Sequence, residues 1–381
     1  MSAVTLCGSC RSGRLTEVLD VGFSPPTCVM PPATYDGPEK HYPLVLLECQ
    51  SCSLVQLSWQ VEPEVQFPRD YPYRSGTSRA LREDFAELAA ALGLSGDQLV
   101  VDIGANDGTL LRQFDCRTVG VEPTGQAERI SGPYIRRFFS SAVAQQVLAV
   151  YGQADAVTAC NVLAHVADIH DVIEGIHFLL KPGGVFVAEN HSLDSVLSGQ
   201  WDTIYHEHLR YYTPRSFERL LREHGMVAVS CEPIPTHGGS FRMMATLEKR
   251  EPASLRESPA PDWGQVRAVT RATRADIRAG VASLGRVSGI GATARATTLL
   301  NFCGLDREDV RRVYEVPGSD KIGRRIPGTR IPIVCEDEIE PDENLLLLSW
   351  HMADVIVPKL REHGYLNRIF APLPSWREVP R

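Results

Sequence analysis

Two Cys-x-x-Cys pairs, Cys7-Gly-Ser-Cys10 and Cys49-Gln-Ser-Cys52, constrain this chain more than any other feature. Each pair on a hairpin offers two soft thiolates, and residues 11–48 between them are enough chain to fold back and close a tetrahedral Zn²⁺ site. Two structural disulfides or a redox dithiol are the alternatives. No signal-peptide pattern opens the sequence and no thioredoxin-like context surrounds either pair, so zinc is the expectation. Four protein ligands leave no open position, which predicts a structural metal that aids folding and anchoring. Cys28 is a further thiol without a partner at knuckle spacing.

Of the ten cysteines, the six outside these pairs are scattered singly, which predicts a reducing, cytoplasmic setting. No apolar run is long enough to cross a bilayer, and no membrane partner is expected. The net charge of −8 argues against a general nucleic-acid binder, which must offset phosphate with clustered Lys and Arg. Composition shifts divide the 381 residues into four stretches. Residues 1–72, rich in Cys, Pro and short apolar runs, read as β-hairpins around the metal. Residues 73–250 alternate strand and helix patterns, 251–285 hold an Arg- and Ala-rich helical connector, and 286–381 begin a second strand, loop and helix series. The expected class is α/β: a small zinc-binding β domain followed by two Rossmann-like domains.

The sharper cofactor signal is Val-Val-Asp-Ile-Gly-Ala-Asn-Asp-Gly-Thr-Leu-Leu. Residues 99–103 read as a buried parallel strand ending in Asp102, and Gly104 to Gly108 as the turn into a helix starting near Thr109. Glu122 ends the next strand at a distance suited to the two hydroxyls of an adenosine ribose. The loop is not Gly-x-Gly-x-x-Gly, and Asp107 beside Asn106 would repel a pyrophosphate while tolerating a sulfonium and an amino group. S-adenosylmethionine therefore fits better than a dinucleotide. The next strand leads into a loop carrying Asn161 and His165, which face the same crevice in a doubly wound sheet.

The strings CGSC with CQSC, YPYRSGTS, VDIGANDGTLL, WDTIYHEHLRYY, PTHGGSFR, GIGATARATTLLNFCG and DKIGRRIPGTRIPI span nearly the whole chain. In this order the chain resembles the deoxysugar C-methyltransferases, which methylate carbon 3 of nucleotide-linked 4-keto-2,6-dideoxysugars in antibiotic biosynthesis. The resemblance implies a thymidine-diphosphate-linked keto-deoxysugar as substrate, and a C-terminal domain that helps bind it. It also implies site residues. His208 would be the base, Tyr205 and Glu207 would orient or polarise, and His165 would sit near the keto oxygen. A tyrosine of the YPYRS string, Tyr73 ahead of Tyr71, would complete the pocket, with Asn161 on the cofactor side.

Methylating a carbon beside a ketone requires a general base and a donor for the enolate oxygen, which gives the Tyr205-His206-Glu207-His208 cluster its chemical meaning. On an extended strand Tyr205 and Glu207 would face away from His208, so convergence requires the segment to bend. His237, in a His-Gly-Gly-Ser turn, and Arg242 are candidate substrate contacts, with a plain hairpin as the alternative. In the C-terminal stretch, Ser288 to Ala294 reads as a glycine turn opening a helix, and Lys321 and Arg330 as partners of the diphosphate. Two departures from the family pattern are Glu315-Val-Pro and Arg210, the latter standing where a small residue is frequent. Rival readings are an O- or N-methyltransferase acting on another small metabolite and a zinc-ribbon RNA methyltransferase or RNA-binding protein. A monomer or weak homodimer is expected.

Overall fold

The computed structural model describes residues 2–248, 250–255 and 260–380. Its first sheet is antiparallel, in the order Arg210–Tyr211, Val55–Leu57, Tyr42–Cys49, Leu15–Ser24. The Tyr42–Cys49 strand alternates buried and partly exposed residues, as expected for a sheet with one covered face. Its edge strand is not local: Arg210–Tyr211, directly after the Tyr-His-Glu-His segment, pairs with Gln56 and Val55.

Seven strands form the central sheet, ordered Val227–Ile234, Ser240–Thr246, Leu180–His191, Ala154–Cys160, Ser95–Ile103, Asp115–Val121, Tyr134–Ile135. The last five run parallel, and Ser240–Thr246 is antiparallel to both neighbours. Residues 99–103 are buried without a break, the mark of a parallel strand covered on both faces. The helix Arg79–Leu92 precedes it, with Ser78 accepting from the Leu81 amide at one end and Gly93 in the left-handed region at the other. The helix expected from Thr109 does not form. Only a 3₁₀ turn, Leu111–Gln113, fits before the next strand starts at Asp115, because the intervening chain is too short for a full helix to offset its nucleation cost.

The long helix Trp263–Leu284 leads into a third sheet, ordered Ile333–Cys335, Val313–Glu315, Val287–Ile290, Asn344–Leu347, Ile369–Ala371, Arg377–Glu378. All but the last strand are parallel. One apolar core runs through the first sheet and this third one, from Val18, Leu44 and Leu57 to Ile277, Leu299 and Leu346. A second core joins the central sheet to Cys7, Cys49 and Cys52. The cysteine knuckles are thereby packed onto the central domain. Among the described residues no helix is long and apolar enough to cross a membrane.

Candidate active site and metal centre

The four knuckle sulfurs lie within 4.8 Å of one another. The short contacts cross between knuckles, Cys7 to Cys52 and Cys10 to Cys49, both 3.5 Å, and none of the four is disulfide-bonded. Zinc–sulfur bonds of about 2.3 Å in a tetrahedron require sulfurs roughly 3.8 Å apart, so this donor set fits Zn²⁺. Both knuckles use the same backbone device: Arg11 and Ser53 sit at φ 58°, and their amides donate to the carbonyls of Cys7 and Cys49. A hydrogen bond from Cys52 draws the Cys7 thiol down to about 5, against the pull of burial.

At the cofactor loop, Gly104 and Gly108 take φ 69° and 75°. A Cβ on Gly104 would meet the Val162 side chain at 2.4 Å, so this turn tolerates no side chain. Asp102 lies beneath it, buried, accepting from Thr158 Oγ1 at 2.7 Å. Burial pushes its carboxyl up to about 7, helped by Glu122 and Glu189. Glu122 accepts from the Asn106 amide through Oε2 (2.9 Å) and from the amide and hydroxyl of Thr124 through Oε1 (2.9 and 2.6 Å). Oε2 keeps a lone pair for a ribose hydroxyl. The chemistry of this set fits an adenosine cofactor.

Asn106 and Asp107 are placed differently from the cofactor contact expected of them. Asn106 Oδ1 accepts from the Ser75 amide (2.9 Å) and its Nδ2 donates to the Tyr73 carbonyl (3.1 Å), while Asp107 Oδ2 accepts from the Gly76 amide (3.1 Å). Both side chains hold the Tyr71–Thr77 strap against the loop. Gly76 permits the close approach, since a Cβ there would lie 2.7 Å from Asp107 Oδ2.

Both strap tyrosines border the Tyr-His-Glu-His cluster, with ring centroids 6.5 Å apart: Tyr71 feels Cys28, Glu207 and Tyr205, and Tyr73, 38% exposed, feels Asp107 and bears on Tyr205. The Asn106 bond pins the Tyr73 backbone over the cofactor loop.

The bend required of residues 205–208 is present as a turn, with the His208 amide donating to the Tyr205 carbonyl at 3.0 Å. It brings the Tyr205 hydroxyl within 2.9 Å of His208 Nε2. His208 Nδ1 lies 3.0 Å from the Thr203 carbonyl, which can only accept, so Nδ1 carries the proton and Nε2 the lone pair. Burial, with His165 and His191 adjacent, holds His208 well below the usual histidine range. Burial also raises the Tyr205 phenol, which stays protonated.

Glu207 points the other way. Its Oε1 accepts from Thr27 Oγ1 (2.7 Å) and the Cys28 amide (3.0 Å), and burial raises its carboxyl. Its backbone carbonyl accepts from His165 Nδ1 at 2.5 Å. The His165 ring centroid lies 5.0 Å from that of His208, and burial lowers the His165 pKa against the backbone hydrogen bonds to Glu207 and Asn161. His206 is fully buried against Tyr42.

The remaining candidate residues fall in different settings. Arg242 is not open to substrate: its guanidinium is buried between Asp84 Oδ1 (2.9 Å) and Glu189 Oε1 (2.7 Å). Lys321 pairs with Glu315 at 3.4 Å, and Glu315 accepts from the Ala292 amide in the second glycine loop, so Lys321 does stand at the start of the helix Ala294–Cys303. Arg330 is exposed at φ 60°, and no bond among the described residues directs its side chain toward that helix. His237, at φ 55°, lies in the turn before Ser240–Thr246, and Asn161, at φ 56°, ends the strand Ala154–Cys160.

Arg295 was not anticipated. Its Nη2 donates to Gln200 Oε1 (2.7 Å) and Asp202 Oδ1 (3.0 Å), and its guanidinium lies 4.9 Å from the Trp350 ring centroid. Nε and Nη1 are buried with no partner among the described residues. Burial and this cation push His191 and His351 each down to about 3. His191 stacks on His208, with ring centroids 5.6 Å apart, so the cationic pocket adjoins His208. The signal lay in two strings already singled out: Asp202 belongs to WDTIYHEH and Arg295 to GATAR.

Comparisons with known proteins agree with this layout. Family profiles match a zinc binding domain at residues 7–67, a methyltransferase domain at 73–230 and a C-methyltransferase C-terminal domain at 263–374. C-methyltransferase NovU of Streptomyces niveus is 30% identical over 383 residues, covering 90% of this chain and 89% of its own. Among solved structures, an S-adenosylmethionine-dependent methyltransferase from Clostridium acetobutylicum is 12% identical over 46% of this chain and 94% of its own, with a TM-score of 0.35. A Geobacter sulfurreducens methyltransferase in complex with S-adenosyl-L-homocysteine is 12% identical over 43% and 90%, with a TM-score of 0.34. The chain belongs to the zinc-binding C-methyltransferase family and is an enzyme whose cofactor is S-adenosylmethionine and whose four N-terminal cysteines hold a structural zinc.

Proposed function

We propose that this C-methyltransferase acts on carbon 3 of a thymidine-diphosphate-linked 4-keto-2,6-dideoxysugar, as in antibiotic sugar biosynthesis. The observation that carries the chemistry is His208: a buried, neutral imidazole, its tautomer fixed by the Thr203 carbonyl, with Nε2 held against the Tyr205 hydroxyl. His208 Nε2 removes the proton from carbon 3, and the C–H electrons move to the keto oxygen. Protonated Nε2 no longer accepts from Tyr205, so that hydroxyl turns to donate to the enolate oxygen. S-adenosylmethionine held against Glu122 and the Gly104–Gly108 loop would supply the methyl group to carbon 3, its S–CH3 bond breaking so that the sulfur leaves as the neutral thioether of S-adenosylhomocysteine.

Asp102, Gly104, Gly108, Glu122 and Asn161 shape the cofactor crevice, with Asn106 and Asp107 acting through the strap. Residues 1–72 anchor the metal, 73–250 bind cofactor and 251–285 connect to a C-terminal unit, 286–381, that receives the nucleotide sugar near Lys321. Arg295 supports this placement, since a buried guanidinium with two unmatched donors calls for an acceptor-rich ligand. NMR and mass spectrometry of the product formed with methyl-labelled S-adenosylmethionine test the reading. Label on carbon 3 is expected; label on an oxygen or nitrogen, or none with cofactor bound, overturns it.

A further inference from the structure

Arg210 follows the Tyr-His-Glu-His cluster, and nothing in the reaction uses it. It is buried, 3% exposed, and no carboxylate among the described residues lies within ion-pair distance. A buried cation needs a counter-charge or a full set of acceptors. Nη1 donates to the Val166 carbonyl and Nη2 to the Ala167 carbonyl, the latter at 3.0 Å. Both acceptors directly follow His165. The backbone amides of Leu209 and Arg210 reach the Ala164 carbonyl at 2.8 and 3.2 Å, so one short strand grips the His165 loop from both sides.

Nε is buried without a hydrogen-bond partner and faces the first knuckle. A Cβ on Gly8, between Cys7 and Cys10, would lie 2.8 Å from Nε and 2.9 Å from Nη2. The guanidinium therefore lies flat across the Cys7-Gly8-Ser9-Cys10 backbone, and Gly8 is the residue that lets it. The Gly8 amide in turn donates to Gln56 Oε1 at 2.8 Å, and Gln56 is the strand partner of Arg210. Four thiolates around Zn²⁺ carry a net charge of −2, which is the counter-charge this cation lacks.

We propose that Arg210 is a positioning residue that ties the zinc knuckle to the His165 loop, its charge matched by the tetrathiolate and its fork fixing two loop carbonyls. The effect on activity rests on the function proposed above, since the His165 ring lies 5.0 Å from that of the proposed base His208. Arg210→Ala in the zinc-loaded enzyme should speed zinc release to a chromophoric chelator about tenfold or more, as loss of groups behind metal ligands does elsewhere. It should also shift the His165 ring resonances in histidine-labelled protein and lower kcat about tenfold, with KM for S-adenosylmethionine within about twofold. Arg210→Lys keeps the charge but not the fork, so it should restore zinc retention and not kcat. Gly8→Ala, which replaces no metal ligand, should displace the guanidinium and act in the same direction if Arg210→Ala does not fold. In a His165→Ala background, Arg210→Ala should cost no further activity. Unchanged zinc release, or a further activity loss in that background, overturns the proposal. Should the wild type fail to methylate the keto-sugar, the zinc and resonance measurements still decide the coupling.

Discussion

Asp102→Asn should stabilise the fold, and more so at higher pH. The Asp102 carboxyl is 4% exposed, and its pKa is raised from 3.8 to about 7, chiefly by burial. The unfolded chain releases this proton near 4 while the folded chain holds it to about 7, so across that window the unfolded state binds fewer protons. Stability must therefore fall as pH rises through it. Holding the proton back by one pH unit corresponds to about 1.4 kcal/mol, so the buried charge costs on the order of 4 kcal/mol at pH 8 and about 2 at pH 5. Asparagine cannot ionise, and its Oδ1 can still accept from Thr158. Any packing cost of the amide is the same at both pH values, so the readout is the difference in ΔΔG between them, about 3 kcal/mol in favour of the variant at pH 8. Denaturant unfolding of wild type and variant at pH 5 and pH 8 measures it. A variant destabilised equally at both pH values would show that Asp102 ionises normally in the folded state, refuting the reasoning.

His208→Ala should lower kcat by about 10²- to 10⁴-fold, the worth of a general base, while calorimetric affinity for S-adenosylmethionine changes little; normal turnover would move the base elsewhere. Arg242→Met leaves Asp84 and Glu189 buried without their cation and should destabilise by about 3–5 kcal/mol near neutrality. Burial already raises Glu189 to about 7 and raises Asp84, so the loss should shrink as the pH falls below neutrality and Glu189 takes up its proton; thermal melts near neutrality and at pH 5 compare them. Cys49→Ser should abolish stoichiometric zinc by atomic emission and lower the melting temperature by several degrees, since the knuckle packs into the same core as the central sheet. Retained zinc with an unchanged melt would contradict the metal's structural role.

Much of the architecture was legible because it depends on local pattern. The unbroken apolar run at 99–103 and the knuckle spacing each depend on a few neighbouring residues, and the zinc, the methyltransferase domain and the family all followed from such strings. The helix expected after Gly108 failed for a local reason too, since the next strand begins before a helix can propagate.

The site was less legible, because the chemistry of a polar residue depends on its partner. Asn106, Asp107 and Arg242 have the right composition for ligand contacts, yet the fold gives each a protein partner: the strap for the first two, a buried carboxylate pair for the third. The sequence by itself determined most of the element types, the metal ligands and the cofactor loop, all set by spacing along the chain. Only the tertiary structure decided which nitrogen of His208 carries the proton, and that Arg295 and Arg210 are buried with unmatched donors. Those outcomes rest on contacts between segments far apart in sequence, where burial and the available acceptors, not residue type, set protonation and direction.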